Sequence, residues 1–136
     1  MRILFFTLSV FLISGCGKDK SYNKKLDGSW SIVSLKITEP SGIGEYVNGS
    51  GTFTFDSKKG SKDGTYDFDI SCDYNNSVFP IIETGTYVIS NQLMNFTNPQ
   101  GETNKADINY INKSDLEFVI PNWDNKNIYL IMKKIE

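Results

Sequence analysis

The side chains that could perform chemistry are few in this chain of 136 residues, and the missing ones exclude the most. There is no histidine, and Arg2 is the only arginine. Without an imidazole there is no Ser-His-Asp or Cys-His relay and no His-ligated zinc. Without a guanidinium fork in the body of the chain, bidentate recognition of phosphate or carboxylate is missing too. No catalytic residue, metal ligand or cofactor is assigned, and an enzyme is not expected. Of the two thiols, Cys72 continues the apolar alternation of Tyr66, Phe68 and Ile70 and has no basic neighbour to lower its pKa, so a buried, inert thiol is expected. Asp67, Asp69 and Asp73 suggest calcium by type, but the first two share the outer face of a strand and lack a loop that gathers oxygens. Gly42, Gly44, Gly49 and Gly51 precede no helix and make no phosphate cradle.

Charge and length narrow the partners. The formal net charge is −2, and the basic residues apart from Arg2 are all lysines, so nucleic acid is not an expected partner. The chain suffices for one modest domain, expected to be a monomer.

The elements that must carry these residues are strands. From Leu26 onward apolar residues alternate with polar ones, and no stretch holds helical spacing for three turns. Phe53 and Phe55 oppose Thr52 and Thr54, and Leu116, Phe118 and Ile120 oppose Glu117. Eight strands are predicted near residues 28–38, 51–57, 64–72, 83–90, 92–97, 105–112, 115–121 and 127–135. The connections 39–50, 73–82, 98–104 and 122–126 read as mostly long and irregular, whereas those at 58–63, at Asn91 and at Lys113-Ser114 read as shorter. Neighbouring strands with alternating loop lengths predict an all-β, eight-stranded antiparallel up-and-down barrel, open between the long loops. A two-sheet sandwich is the alternative.

Ahead of the strands, Met1-Arg2 leads an apolar run from Ile3 to Ile13, then Ser14 and Gly15 stand before Cys16. Residues 1–15 read as a cleaved signal peptide, too brief for a lasting membrane span. The placement of Cys16 resembles the lipobox of bacterial lipoproteins. That resemblance implies that Cys16 carries the lipid, with acyl chains such as palmitate, and becomes the mature N-terminus. The protein would then be held to a membrane of the bacterial cell envelope, and Gly17 beside the anchor points to the outer membrane. Residues 16–25 are polar and short of core formers, which predicts a flexible tether before a domain over 26–136.

Within that domain Gly28-Ser29-Trp30 opens the first strand. Thr52-Phe53-Thr54-Phe55-Asp56, Gly85-Thr86-Tyr87, Asp115-Leu116-Glu117-Phe118 and a closing Tyr129-Leu130-Ile131-Met132-Lys133-Lys134 follow in order. This succession is similar to the small lipocalin-like domains of bacterial lipoproteins. The resemblance implies a barrel with Trp30 at its closed end, although no arginine in the closing strand is present to lie over that indole. It also implies a binding function for a small, largely apolar ligand. Phe53, Phe55, Tyr66, Phe68, Tyr87, Tyr110 and Phe118 would line the interior, and Tyr46, Tyr74, Phe79 and Trp123 would surround the mouth. The alternative function is a surface interaction protein with a solid barrel whose long loops bind a protein or a glycan.

Overall fold

The computed structural model describes residues 14–135. Residues 1–13 of the expected signal peptide and the side chain of Cys16 lie outside the described residues. A helix, α1 (Ser14–Leu26), precedes nine strands: β1 (Gly28–Thr38), β2 (Gly44–Val47), β3 (Gly49–Ser57), β4 (Asp63–Tyr74), β5 (Ser77–Ser90), β6 (Leu93–Thr97), β7 (Thr103–Ile111), β8 (Asp115–Trp123) and β9 (Lys126–Lys134). All pair antiparallel, and β9 returns to β1 to close the sheet. Two strands share one position in the wall: Gly28 of β1 faces Phe55 of β3, while Leu35 of β1 faces Val47 of β2. The result is the expected eight-position up-and-down barrel, with its second member broken at Asn48.

The alternation seen in the sequence sorts side chains as expected. Along β4, Tyr66, Phe68, Ile70, Cys72 and Tyr74 point inward, while Asp67, Asp69 and Asp73 face solvent. At two cross-strand pairs the barrel wall admits nothing larger than glycine. Tyr66 faces Gly85 and Gly64 faces Tyr87. A Cβ on Gly85 would lie 2.0 Å from Thr97 O and 2.8 Å from the Tyr66 hydroxyl. These missing side chains let both phenol rings lie across the neighbouring strand.

The long loops are not there. Residues 39–50 contain β2, a four-residue strand whose Tyr46 and Val47 suit a sheet and which is held by its pairing with β1. Residues 73–82 are mostly strand, because Asn75 and Asn76 both take positive φ (52° and 59°) and reverse the chain in two residues. Asp124 and Asn125 do the same between β8 and β9 (48° and 61°). Connections at the supposed mouth are therefore no longer than those at the other end.

The tether expected over 16–25 is also corrected, since this segment is helical and packed across the barrel end. Asp19, Asn23 and Leu26 are buried, and Tyr22 packs beside them. The Asn23 amide donates to Ser61 O (3.0 Å) and Asp63 O (2.9 Å), and its oxygen accepts from the Tyr87 hydroxyl. Asp19 accepts from the Asn91 backbone N–H at 3.2 Å. Beneath the helix, Trp30 is fully buried and its indole N–H donates to Leu26 O at 2.8 Å. Lys134 supplies the cation that no arginine was available to provide, with Nζ 4.9 Å from the Trp30 ring centroid.

Two substitutions test this cap. Trp30→Ala should lower unfolding stability by about 3–5 kcal/mol, as deletion of a fully buried large aromatic does. Asn23→Ala strands two carbonyls and a buried phenol and should lower it by about 1–3 kcal/mol. Denaturant titration measures both, and no loss for Asn23→Ala would return the segment to a tether.

Candidate functional site

The barrel interior is occupied by its own rings. Phe53 stacks on Phe68 with centroids 3.9 Å apart, and Phe118 meets the edges of Phe53 and Phe55 at 6.2 Å. Tyr66 packs against Phe96 at 5.3 Å, and Tyr87 against Phe55 at 5.8 Å. Six of the seven candidate interior residues, Phe53, Phe55, Tyr66, Phe68, Tyr87 and Phe118, are thus brought together and buried. Tyr110 is not among them. A register shift between Ile108 and Tyr110 inserts one residue into β7, which turns Ile111 inward and leaves Tyr110 half exposed on the outer wall. Phe96, absent from the candidate set, takes a place in the ring cluster. Its alternation with Met94 was visible in the sequence, but the strand is too short to make the pattern stand out.

The polar groups in this interior are spoken for. Tyr66 donates to Glu83 Oε1 at 2.6 Å, and Cys72 Sγ donates to Phe79 O at 3.3 Å. Burial pushes both the Tyr66 phenol and the Cys72 thiol up from their ordinary values, with Glu83 adding to the first. Tyr87 is pushed up chiefly by burial as well. Among the described residues no buried side-chain nitrogen or oxygen lacks a partner. The interior therefore holds no idle donor with which to orient a guest.

The end formed by the β1–β2, β4–β5, β6–β7 and β8–β9 connections is different. Tyr74 and Phe79 meet edge to face at 6.2 Å, and Lys126 Nζ lies 5.9 Å and 5.3 Å from their centroids. Lys126 pairs in register with Trp123, which is partly buried against the core, and its ammonium also reaches Asp124 O at 3.2 Å. The Tyr74 hydroxyl donates to a Glu39 carboxylate oxygen. Three of the four candidate mouth residues thus gather around one lysine, and they close the barrel end where loops were expected to leave it open. Neither Tyr74 nor Phe79 is a loop residue: both are buried strand residues flanking the Asn75-Asn76 turn. Tyr46 lies elsewhere. It is 75% exposed on the outer wall, with Lys36 Nζ 5.6 Å from its centroid. Glu39 and Lys126 escaped sequence reading because nothing local marks a lone acid or lysine that a turn brings to an aromatic pair.

Fold and site together define a closed antiparallel β-barrel with a filled aromatic interior and one aromatic, charge-bearing end. A sequence profile of the lipocalin-like domain matches residues 17–118, more than half of the chain, and the chain belongs to that family. Its barrel is compatible with small-ligand binding. Among solved structures, a redesigned β-barrel is similar at 13% identity over 84% of this chain and 95% of that one, with a TM-score of 0.49. A lipocalin-like protein from Bacteroides uniformis is similar at 13% identity over 82% and 99%, with a TM-score of 0.42. No curated protein sequence matches the chain significantly.

The Tyr74–Glu39 contact has a measurable signature. The hydrogen bond to the carboxylate, with burial and the Glu39 and Glu45 charges behind it, pushes the Tyr74 phenol up to about 12. Its neutral form is thus favoured by folding, so the contribution is whole below about pH 10, the unfolded phenol's pKa, and is lost as pH rises through about 12. In a phenolate absorbance titration, Tyr74→Phe should remove a transition near 12. Glu39→Gln should shift that transition down toward about 10.

Proposed function

We propose that the protein is a lipid-anchored, non-catalytic binding module of the bacterial cell envelope, held at the outer membrane through Cys16. As a monomer it recognises a small, largely apolar ligand at the Tyr74–Phe79–Trp123 end of the barrel. The anchor reading is supported by the order Ile13-Ser14-Gly15-Cys16. The binding reading is supported by the filled interior: with its rings in mutual contact and its polar atoms paired, a ligand is left to the outside of the barrel, and at this end aromatic rings, an ammonium and a carboxylate stand together. Trp123, only partly buried, supplies the apolar contact there, Tyr74 and Phe79 form the buried aromatic base around Lys126, and Lys126 and Glu39 supply polar handles.

One observation favours a second reading, in which the solid barrel binds a protein or glycan through its outer wall. Tyr46, Tyr129 and Ile131 are exposed on β2 and β9, to either side of β1, and Tyr46 and Tyr129 both face Lys36 in register.

Native mass spectrometry of the mature protein should reveal a retained small molecule. Addition of that molecule should change Trp123 fluorescence, since the other tryptophan, Trp30, is sealed at the far end. Trp123→Ala should weaken binding by about 2 kcal/mol, roughly thirtyfold, with little change in melting temperature. Retained affinity in that variant, with loss on replacing Tyr46 and Tyr129, would transfer the site to the outer wall. For the anchor, Cys16→Ser should abolish acylation, and an unchanged mature mass would refute it.

A further inference from the structure

The lysines of this barrel are not spread over its surface. Ten of the thirteen lie on α1, on the β3–β4 connection, at the β7–β8 turn or at the end of β9. All of these belong to one end of the barrel, where they outnumber Asp19, Asp27, Asp56, Asp63 and Asp115 two to one. The opposite end carries Glu39, Glu45, Asp73, Glu102 and Asp124 against Lys36, Lys105 and Lys126. A chain with a net negative charge thus presents a basic pole and an acidic pole.

At the basic pole most of the ammonium groups are unpaired. Among the described residues the ion pairs are Lys126–Asp124 and Lys133–Asp115, so Lys20, Lys24, Lys25, Lys58, Lys59 and Lys113 have no carboxylate partner. They flank two grooves along α1. The larger, of about 660 Å³, runs from Gly17 past Lys20 and Lys24 to Lys58, Lys59 and Gly60. The smaller, of about 310 Å³, is lined by Ser21, Lys24, Lys25, Lys113 and Lys134. Like charges that line the same groove repel one another until an anionic surface neutralises them.

We infer that the α1 end is a docking face for a lipid surface rich in anionic headgroups, whose phosphates enter the two lysine-lined grooves. The inference rests on the proposed anchor for its orientation: Cys16 lies in the first turn of α1, one residue before the Gly17 that opens the larger groove. Acyl chains there bring this face, and no other, against the headgroups, where each lysine adds attraction to anionic lipid. The acidic end, with Tyr74, Phe79 and Trp123, is then directed away from the membrane.

The test uses the purified full chain as the cell processes it, whose mass first reports whether acyl groups are present. It is mixed with vesicles of phosphatidylcholine alone or with added phosphatidylglycerol, and exposed lysines are acylated with a water-soluble reagent and mapped by peptide mass. Lys24, Lys58, Lys59 and Lys113 should be protected on the anionic vesicles at low salt, exposed on the neutral ones and exposed again at high salt. Lys105 should react alike throughout. Each lysine at an anionic leaflet is worth about fivefold in binding, so K24Q/K58Q/K59Q should reduce the anionic-specific partitioning by about a hundredfold, and Lys105→Gln should leave it unchanged. Equal protection on both kinds of vesicle overturns the docking face. So does protection by inorganic phosphate alone with no preference for anionic vesicles, which assigns the grooves to a soluble anion. A mature mass without acyl groups overturns the anchor reading, and the vesicle comparison still decides the docking face.

Discussion

The fold depends on one cation placed where three chain segments meet. Lys134, the last residue of β9, lays its ammonium over the Trp30 indole and donates to the carbonyls of Lys25 (2.8 Å) and Asp27 (2.7 Å). The first carbonyl belongs to the last turn of α1, which has no intrahelical partner of its own. Trp30 satisfies a second, that of Leu26. The first strand, the last strand and the helix are thereby joined at the point where the barrel closes. Burial lowers the Lys134 pKa from its ordinary value, against the raising effect of Asp27, which fits an ammonium drawn partly out of water and held by carbonyls. The fixed position of Trp30 in turn sets the floor on which the aromatic stack of Phe53, Phe68 and Phe118 is built.

What could be read in the sequence was what period-two alternation encodes. Strands such as β4 and β8 carry large rings on one face and charges on the other, and their pairing leaves no second way to bury them. The helix was illegible for a physical reason. Its buried positions, Asp19, Asn23 and Leu26, fall at i, i+4 and i+7 and so share a face, but two of the three are polar. Their burial is made tolerable by backbone partners in distant turns, at Ser61, Asp63 and Asn91. A hydrophobic periodicity has nothing to register there, and a lysine-rich, polar segment reads as solvated chain.

The site was legible in composition and illegible in geometry. Alternation correctly gathers Phe53, Phe55, Tyr66, Phe68, Tyr87 and Phe118, yet it counts residues and so misplaces Tyr110 once a bulge shifts the count by one. Tyr74 and Phe79 fall in the stretch 73–82, which reads as an irregular connection at the mouth. Asn75 and Asn76 invalidate that premise for Tyr74 and Phe79, because two residues with positive φ convert a loop into a hairpin whose strands run on to its tip. The asparagine pair is a turn signal, and the strand beyond it carries Pro80, which cannot donate to a ladder. Pro80 is tolerated because β6 pairs only with the second half of β5, from Thr86 onward, which leaves the first half as an edge.

Those features constrain how such a barrel can recognise anything. Among the described residues every buried side-chain oxygen and nitrogen has a partner, so a guest entering the interior would have to displace ring contacts and gain no hydrogen bond in return. Short connections remove the alternative of a mobile loop that wraps a ligand. In the proposed reading recognition falls to side chains at strand ends, whose positions are set by turn geometry: Trp123 and Lys126 by the Asp124-Asn125 turn, and Tyr74 and Phe79 by the Asn75-Asn76 turn. A site built in this way is rigid before it is occupied, which limits the ordering cost of binding and fixes the ligand's shape more strictly than a flexible mouth would. The same rigidity at the other pole holds α1 against the wall and keeps the lysines of helix and turn side by side.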